Sequence, residues 1–164
     1  MIIREVQVAD AERFLTLLKE IDDSNRMLFN PGERQTSVEQ QQKVLEQFAI
    51  DERSVFLVAE KAGEFLGYLG LISDDLERRN HIGRIVVGVS EKSRGQGIGT
   101  KLFESIFKWM EGKSFKRIEL TVIKDNESAY RLYRKMGFEF EGEKVAALLI
   151  DGEFVNELYM HKLF

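Results

Sequence analysis

The stretch Val87-Gly88-Val89-Ser90-Glu91-Lys92-Ser93-Arg94-Gly95-Gln96-Gly97-Ile98-Gly99-Thr100 constrains this chain more than any other. A largely buried apolar run, His81 to Ser90, ends abruptly in the polar, glycine-rich Glu91 to Gly97. From Ile98 the residues Leu102, Phe103, Ile106, Phe107 and Met110 recur at helical spacing until Gly112. Strand, glycine turn and helix start therefore follow one another directly. Glycines 95, 97 and 99 let successive backbone N–H groups turn inward against a ligand, and a helix beginning at Ile98 adds its unpaired amides and the positive end of its dipole. Arg94 and Lys101 stand where they can neutralise phosphate oxygens. A tight connection holding no ligand would use the same glycines. Other phosphate motifs fit less well: a Walker loop needs Gly-Lys-Ser/Thr where Gly99 is followed by Thr100-Lys101, and a dinucleotide fingerprint needs glycine at Thr100 or Leu102.

The remaining elements follow from period and punctuation. Ile2 to Val8 alternates as a half-buried strand, and Asp10 sits where an N-cap is wanted before a helix from Ala11 to about Ile21. Ser37 and Gln40 have the form of a capping box, which predicts a second helix to about Phe48. Ser54–Glu60 and Phe65–Ile72 are β-rich runs joined by a short glycine-containing link. Phe115–Ile123 alternates again, Asn126 caps a helix that Gly137 stops, and Phe138–Ile150 and Glu153–Leu163 are bridged by Asp151-Gly152, the strongest hairpin signal in the chain. The order is βααβββαβαββ, an α/β (α+β) chain of one domain over residues 1–164.

Zero cysteines in 164 residues exclude disulfides, thiolate metal sites and an acyl group carried on enzyme sulfur. The longest uncharged stretch, Phe65–Ser73, has nine residues against the ~20 that a bilayer needs, and the charged N-terminus lacks a secretory pattern, so a cytoplasmic address without membrane contact is expected. Formal charge is −4, unevenly spread: residues 1–60 hold 7 basic and 12 acidic side chains, and residues 92–117 hold 7 basic and 2 acidic. An anionic partner for the basic segment and a cationic one for the acidic region would produce this asymmetry, as would solvated helix faces. Nucleic-acid binding is not expected from a chain of negative total charge. His81 and His161 lack partners at ligand spacing and read as structural or surface residues. No metal is expected.

Two motifs together resemble the GCN5-related N-acetyltransferase (GNAT) superfamily. Arg94-Gly95-Gln96-Gly97-Ile98-Gly99 is similar to its R/Q-x-x-G-x-G/A pyrophosphate loop, and Asn126-Glu127-Ser128-Ala129-Tyr130-Arg131-Leu132-Tyr133-Arg134-Lys135-Met136-Gly137-Phe138 to its N-x-x-A-x-x-L-Y-x-K-x-G-F helix. The resemblance implies a mixed, mostly antiparallel sheet of about seven strands, splayed between the fourth and fifth, with about four helices. It implies acetyl-coenzyme A as co-substrate and direct transfer to a primary amine: a small amine, a polyamine, an amino-acid-like molecule or a protein N-terminus. The acidic first sixty residues favour a cationic acceptor.

The same resemblance implies site residues. Arg94, Gly95, Gln96, Gly97, Ile98, Gly99 and Thr100 would hold the pyrophosphate, Val87, Gly88 and Val89 would pair with the pantetheine arm, and Asn126 would also contact the coenzyme. Gly88 suits a bulge or close approach to ligand, or simple packing. Tyr133 would donate a proton to the departing sulfur. Relatives that modify protein N-termini carry a glutamate where this chain has Thr121, so the base is sought elsewhere, at Glu119 on the fifth strand or Glu33 in the loop between the first helices. A rival reading is an acyl-coenzyme A sensor without turnover, against which Tyr133 speaks. Dimers are common in the superfamily, but no residue here assigns an interface.

Overall fold

The structure, a computed structural model, describes all 164 residues. In chain order the elements are β1 (Ile2–Glu5), α1 (Ala11–Asp22), α2 (Val38–Ile50), β2 (Val55–Lys61), β3 (Glu64–Ser73), β4 (Ile82–Val89), α3 (Ile98–Met110), β5 (Arg117–Ile123), α4 (Glu127–Lys135), β6 (Glu139–Ile150) and β7 (Glu153–Leu163). The strands pair in the order β1-β2-β3-β4-β5-β7-β6. β1–β2, β2–β3, β5–β7 and β6–β7 are antiparallel, whereas β4–β5 is parallel, from Ile82 opposite Arg117 to Arg84 opposite Glu119. The expected mixed sheet of seven strands with four helices is therefore what forms. Two compact units divide the chain: Met1–Ile72 with Val86–Lys113, and Ser73–Ile85 with Ser114–Phe164.

In the first unit the apolar stripe of α1 (Ala11, Phe14, Leu17, Leu18, Ile21) packs with Leu45 of α2, Val58 of β2 and Tyr68 of β3. Phe14 meets Phe56 and Tyr68 at ring-centroid distances of 5.3 and 5.6 Å. The Ser37–Gln40 capping box forms in both directions and fixes the start of α2. Between β2 and β3 the turn is two residues, Ala62 and Gly63, both at positive φ, as the twist of a tight hairpin requires. The strand expected over Ile2 to Val8 is shorter. β1 stops at Glu5 because the chain tightens into a 3-10 turn at Val8–Asp10. Asp10 precedes α1 as expected, yet makes no cap bond to it. Its carboxylate instead accepts from Gln7 N at 2.9 Å and from the guanidinium groups of Arg4 and Arg13. Two charged donors outcompete a helix amide for the same oxygens.

The second unit is built on β5, β7 and β6. Alternation divides their side chains into two faces. Ile118, Leu120, Val122 and Met160 are buried on one, and Lys162 on this face reaches Met136 O at the end of α4, 2.9 Å away. Arg117, Glu119 and Thr121 of β5 share the other, polar face with their β7 partners Leu163, His161 and Tyr159. The β6–β7 turn is Asp151-Gly152, with φ of 51° and 80°.

Candidate active site

In the first unit β4 runs through Val86–Val89 into a short 3-10 turn at Glu91–Ser93, then Arg94 to Gly97, then α3. Gly95 and Gly97 both adopt φ of 75°, a conformation that L side chains avoid, and a Cβ on either would meet nothing within 4 Å. The turn thus opens onto free space. Gly97 is the N-cap of α3 and no side chain caps that helix, so its first-turn amides lack a side-chain acceptor. Gly99 differs: it lies inside the first turn, buried with Ile98 and without positive φ. Arg94 and Gln96 are exposed on the loop. A 13-residue helix with an uncapped, glycine-lined N-terminus is suited to bind an anion.

The loop is braced from behind. Ser90, fully buried where β4 ends, donates through Oγ to Glu20 Oε1 on α1 at 2.5 Å, and Lys92 Nζ lies 3.7 Å from the same oxygen. Seventy residues separate Glu20 from Ser90, and no local pattern announces their pairing. Two residues before Ser90, a Cβ on Gly88 would come within 2.7 Å of Ile21 Cγ2 and 3.1 Å of Tyr68 Cε1. Glycine at 88 therefore makes room for α1. Burial pushes the Tyr68 phenol upward, so it stays neutral and cannot accept a proton.

The loop between α1 and α2 is tied to the same helix. Arg34 grips buried Asp22 through Nε at 2.6 Å and Nη2 at 3.2 Å, and its guanidinium lies 4.3 Å from the Phe29 ring. Glu33 Oε2 accepts from Asn30 N at 2.7 Å, which closes its own turn. Several carboxylates of residues 1–60 are engaged in the same manner. Asp10 and Glu60 hold Arg4 and Arg13, Asp22 holds Arg34, Glu20 holds Ser90 and Lys92, and Glu5 accepts from Trp109. Arg4, Arg13 and Arg34 lie within the same sixty residues, so of these pairings only that with Lys92 offsets the net acidity behind the cationic-acceptor expectation.

In the second unit Asn126 Oδ1 caps α4 by accepting from Ala129 N at 3.3 Å. Tyr133 is buried at 6% exposure, its ring 6.1 Å from that of Phe138. Glu119 Oε2 accepts from Arg117 Nε at 3.0 Å. Both carboxylates that the sequence offers as bases are thus engaged, one by a backbone amide and one by a cation.

Residues 17–138 match the model of the acetyltransferase (GNAT) family. The chain belongs to that family. Among curated relatives of this GNAT chain, an L-amino acid N-acetyltransferase of Escherichia coli K12 is 32% identical over 108 residues, 65% of this chain and 67% of the relative. A GNAT-family acetyltransferase from Streptococcus pneumoniae superposes with a TM-score of 0.95 at 25% identity, covering 99% of both chains. A phosphinothricin acetyltransferase of Sinorhizobium meliloti, solved in complex with acetyl-coenzyme A, superposes at 0.87 with 17% identity over 99% of this chain and 88% of that one, a likeness of fold alone. No helix here is long and apolar enough to cross a membrane.

Proposed function

We propose that this GNAT protein is a cytoplasmic enzyme that transfers the acetyl group of acetyl-coenzyme A directly to a primary amine. The observation that carries the reading is the open, uncapped N-terminus of α3 behind two positive-φ glycines, because a diphosphate needs convergent amides and no obstructing Cβ. The residues fit that group. Arg94, Gly95, Gln96, Gly97, Ile98, Gly99 and Thr100 would hold the pyrophosphate, and the backbone of Val87, Gly88 and Val89 would pair with the pantetheine amides and support developing charge on the acyl oxygen. Bound there, acetyl-coenzyme A supplies an acyl carbon open to attack.

The chain's own residues divide the proton work. An alkylammonium, with a pKa near ~10, must lose a proton before it attacks, and a departing thiolate must gain one. Tyr133 is assigned the second task, with Asn126 fixing the helix that carries it. The acceptor suggested by the name of the E. coli relative is an amino-acid-like amine. The test is thiol release from acetyl-coenzyme A with spermidine, L-methionine and an alanine-initiated peptide as acceptors. Amine-dependent release supports the enzyme. Tight coenzyme binding with no acceptor-stimulated release would instead leave the sensor reading standing.

A further inference from the structure

The far end of the β6–β7 hairpin carries apolar side chains into solvent. β7 pairs with β5 only as far as Glu157, opposite Ile123, and the ladder ends where Lys124 N donates to Asn156 O at 2.9 Å. Beyond that point β6 and β7 continue without a third strand, from Leu148 opposite Val155 to Ile150 opposite Glu153, and turn at Asp151-Gly152. A two-stranded ribbon is marginal in water unless one of its faces is packed. Here Leu149 and Phe154 are direct partners on one face of the ribbon at 59% and 73% exposure, and Val145, where the ribbon begins, is 75% exposed. Strand β6 is also a sheet edge, and from Val145 to Ile150 it has no charge and no proline, whereas the opposite edge, β1, is four residues long and carries Arg4 and Glu5. Edges are shielded by such charges or by bulges. In β6 the shield is a bulge: the register shifts between Lys144 and Leu148, and Ala146 N donates to Asn156 Oδ1 of β7 at 2.8 Å. The bulge opposes addition of another strand along the edge, so it is the Leu149–Phe154 face that remains to be covered.

Charge selects the occupant. Between Val145 and Asn156 the only charged residues are Asp151 and Glu153, at the tip, and the first cation back along β6 is Lys144, opposite Glu157. Two ribbons laid tip to tip would gather four carboxylates. Laid antiparallel about a twofold axis at the middle of Val145–Ile150, they set the acidic tip of each copy level with Lys144 of the other, and the apolar residues of both lie between. We propose that this ribbon is the interface of a homodimer, in which two copies pack their Leu149–Phe154 faces antiparallel. At these exposures Val145, Leu149 and Phe154 present on the order of 400 Å² of apolar surface, and two such patches with polar rims bury about 1,200 Å², the low end of a specific interface. The dimer is therefore reversible. It stands or falls independently of the acetyltransferase reading.

The experiment is sedimentation velocity of the full chain over a concentration series, for wild type, Leu149→Glu, Phe154→Glu, Lys144→Glu and the double variant Lys144→Glu with Glu153→Lys. Wild type is expected to pass from monomer to dimer with a Kd of about 1–100 µM. Leu149→Glu and Phe154→Glu each put an unpaired carboxylate inside the contact and should raise that Kd at least ~10-fold, with circular dichroism unchanged because both side chains are exposed in the single chain. Lys144→Glu should weaken the dimer, and adding Glu153→Lys should recover it. A wild type that stays monomeric throughout the series overturns the proposal and leaves the face to another partner. A dimer unweakened in both the Leu149 and Phe154 variants also overturns it, since the interface would lie elsewhere. A double variant no tighter than Lys144→Glu overturns the antiparallel placement. Should the Leu149 and Phe154 variants fail to fold, a Lys144→Glu dimer as tight as wild type overturns the proposal alone.

Discussion

Gly88 shows how one absent methyl group sets a packing arrangement. Ile21 and Tyr68 occupy the space a side chain would need, so Gly88→Ala is expected to destabilise the protein by about 1–3 kcal/mol through overpacking, read as a lower denaturant midpoint at unchanged slope. Gly97 is constrained differently. Nothing crowds it, but its φ of 75° costs a β-branched residue ~1–2 kcal/mol, and the branches would fill the anion cradle. Gly97→Val should therefore raise the Kd for acetyl-coenzyme A at least ~10-fold, while affecting the chemical step less. Tyr133→Phe should do the reverse. Single-turnover rates are expected to fall about 10²-fold with coenzyme affinity retained, and an unchanged rate would remove Tyr133 from its assigned role.

At the scale of elements, the caps and turns are local devices whose loss should stay local. The reciprocal Ser37–Gln40 box satisfies two amides at the start of α2, so Ser37→Ala should cost about 1 kcal/mol, measured by thermal or denaturant unfolding. In the β6–β7 hairpin the register shifts between Lys144 and Leu148, with Ala146 at φ of 51°. Asn156 stabilises this irregularity: its Oδ1 accepts from Ala146 N and its Nδ2 donates to Glu143, both at 2.8 Å. Asn156→Ala should speed hydrogen exchange at the Ala146 amide well before global stability changes. Equal protection in the variant would show that the bulge needs no such support.

For the molecule as a whole, the first unit's ion pairs set its response to acid. Arg4 above all, helped by the Gln7 amide and Arg13, holds the Asp10 carboxyl well below its ordinary value of 3.8, and Arg4 and Arg13 lower Glu60 from 4.5. Both shifts are depressions, so the stability they confer is complete above the ordinary carboxylate range and is lost as pH falls below about 4 toward the folded-state values. Asp10→Asn should lower stability at pH 7 by about 3 kcal/mol, the low end for a buried pair because both guanidiniums are partly solvated. The same variant should flatten the decline below pH 4. A decline as steep as wild type would place the acid sensitivity elsewhere.

Local signals decided much of this protein. Seven strands and four helices, the Ser37 and Asn126 caps, the Asp151-Gly152 turn and the Arg94–Gly99 loop were all legible because each depends on residues within a few positions of one another, where hydrophobic period, capping oxygens and positive-φ glycines act directly. Tertiary structure decided the rest. It diverted Asp10 from capping to ion pairing, locked Asp22 to Arg34, joined Glu20 to Ser90 across seventy residues, and set His161 beside Glu141. These outcomes depend on charges and donors brought together from distant strands, and the strength of an ionic contact follows distance and solvation, neither of which is encoded at any single position of the chain.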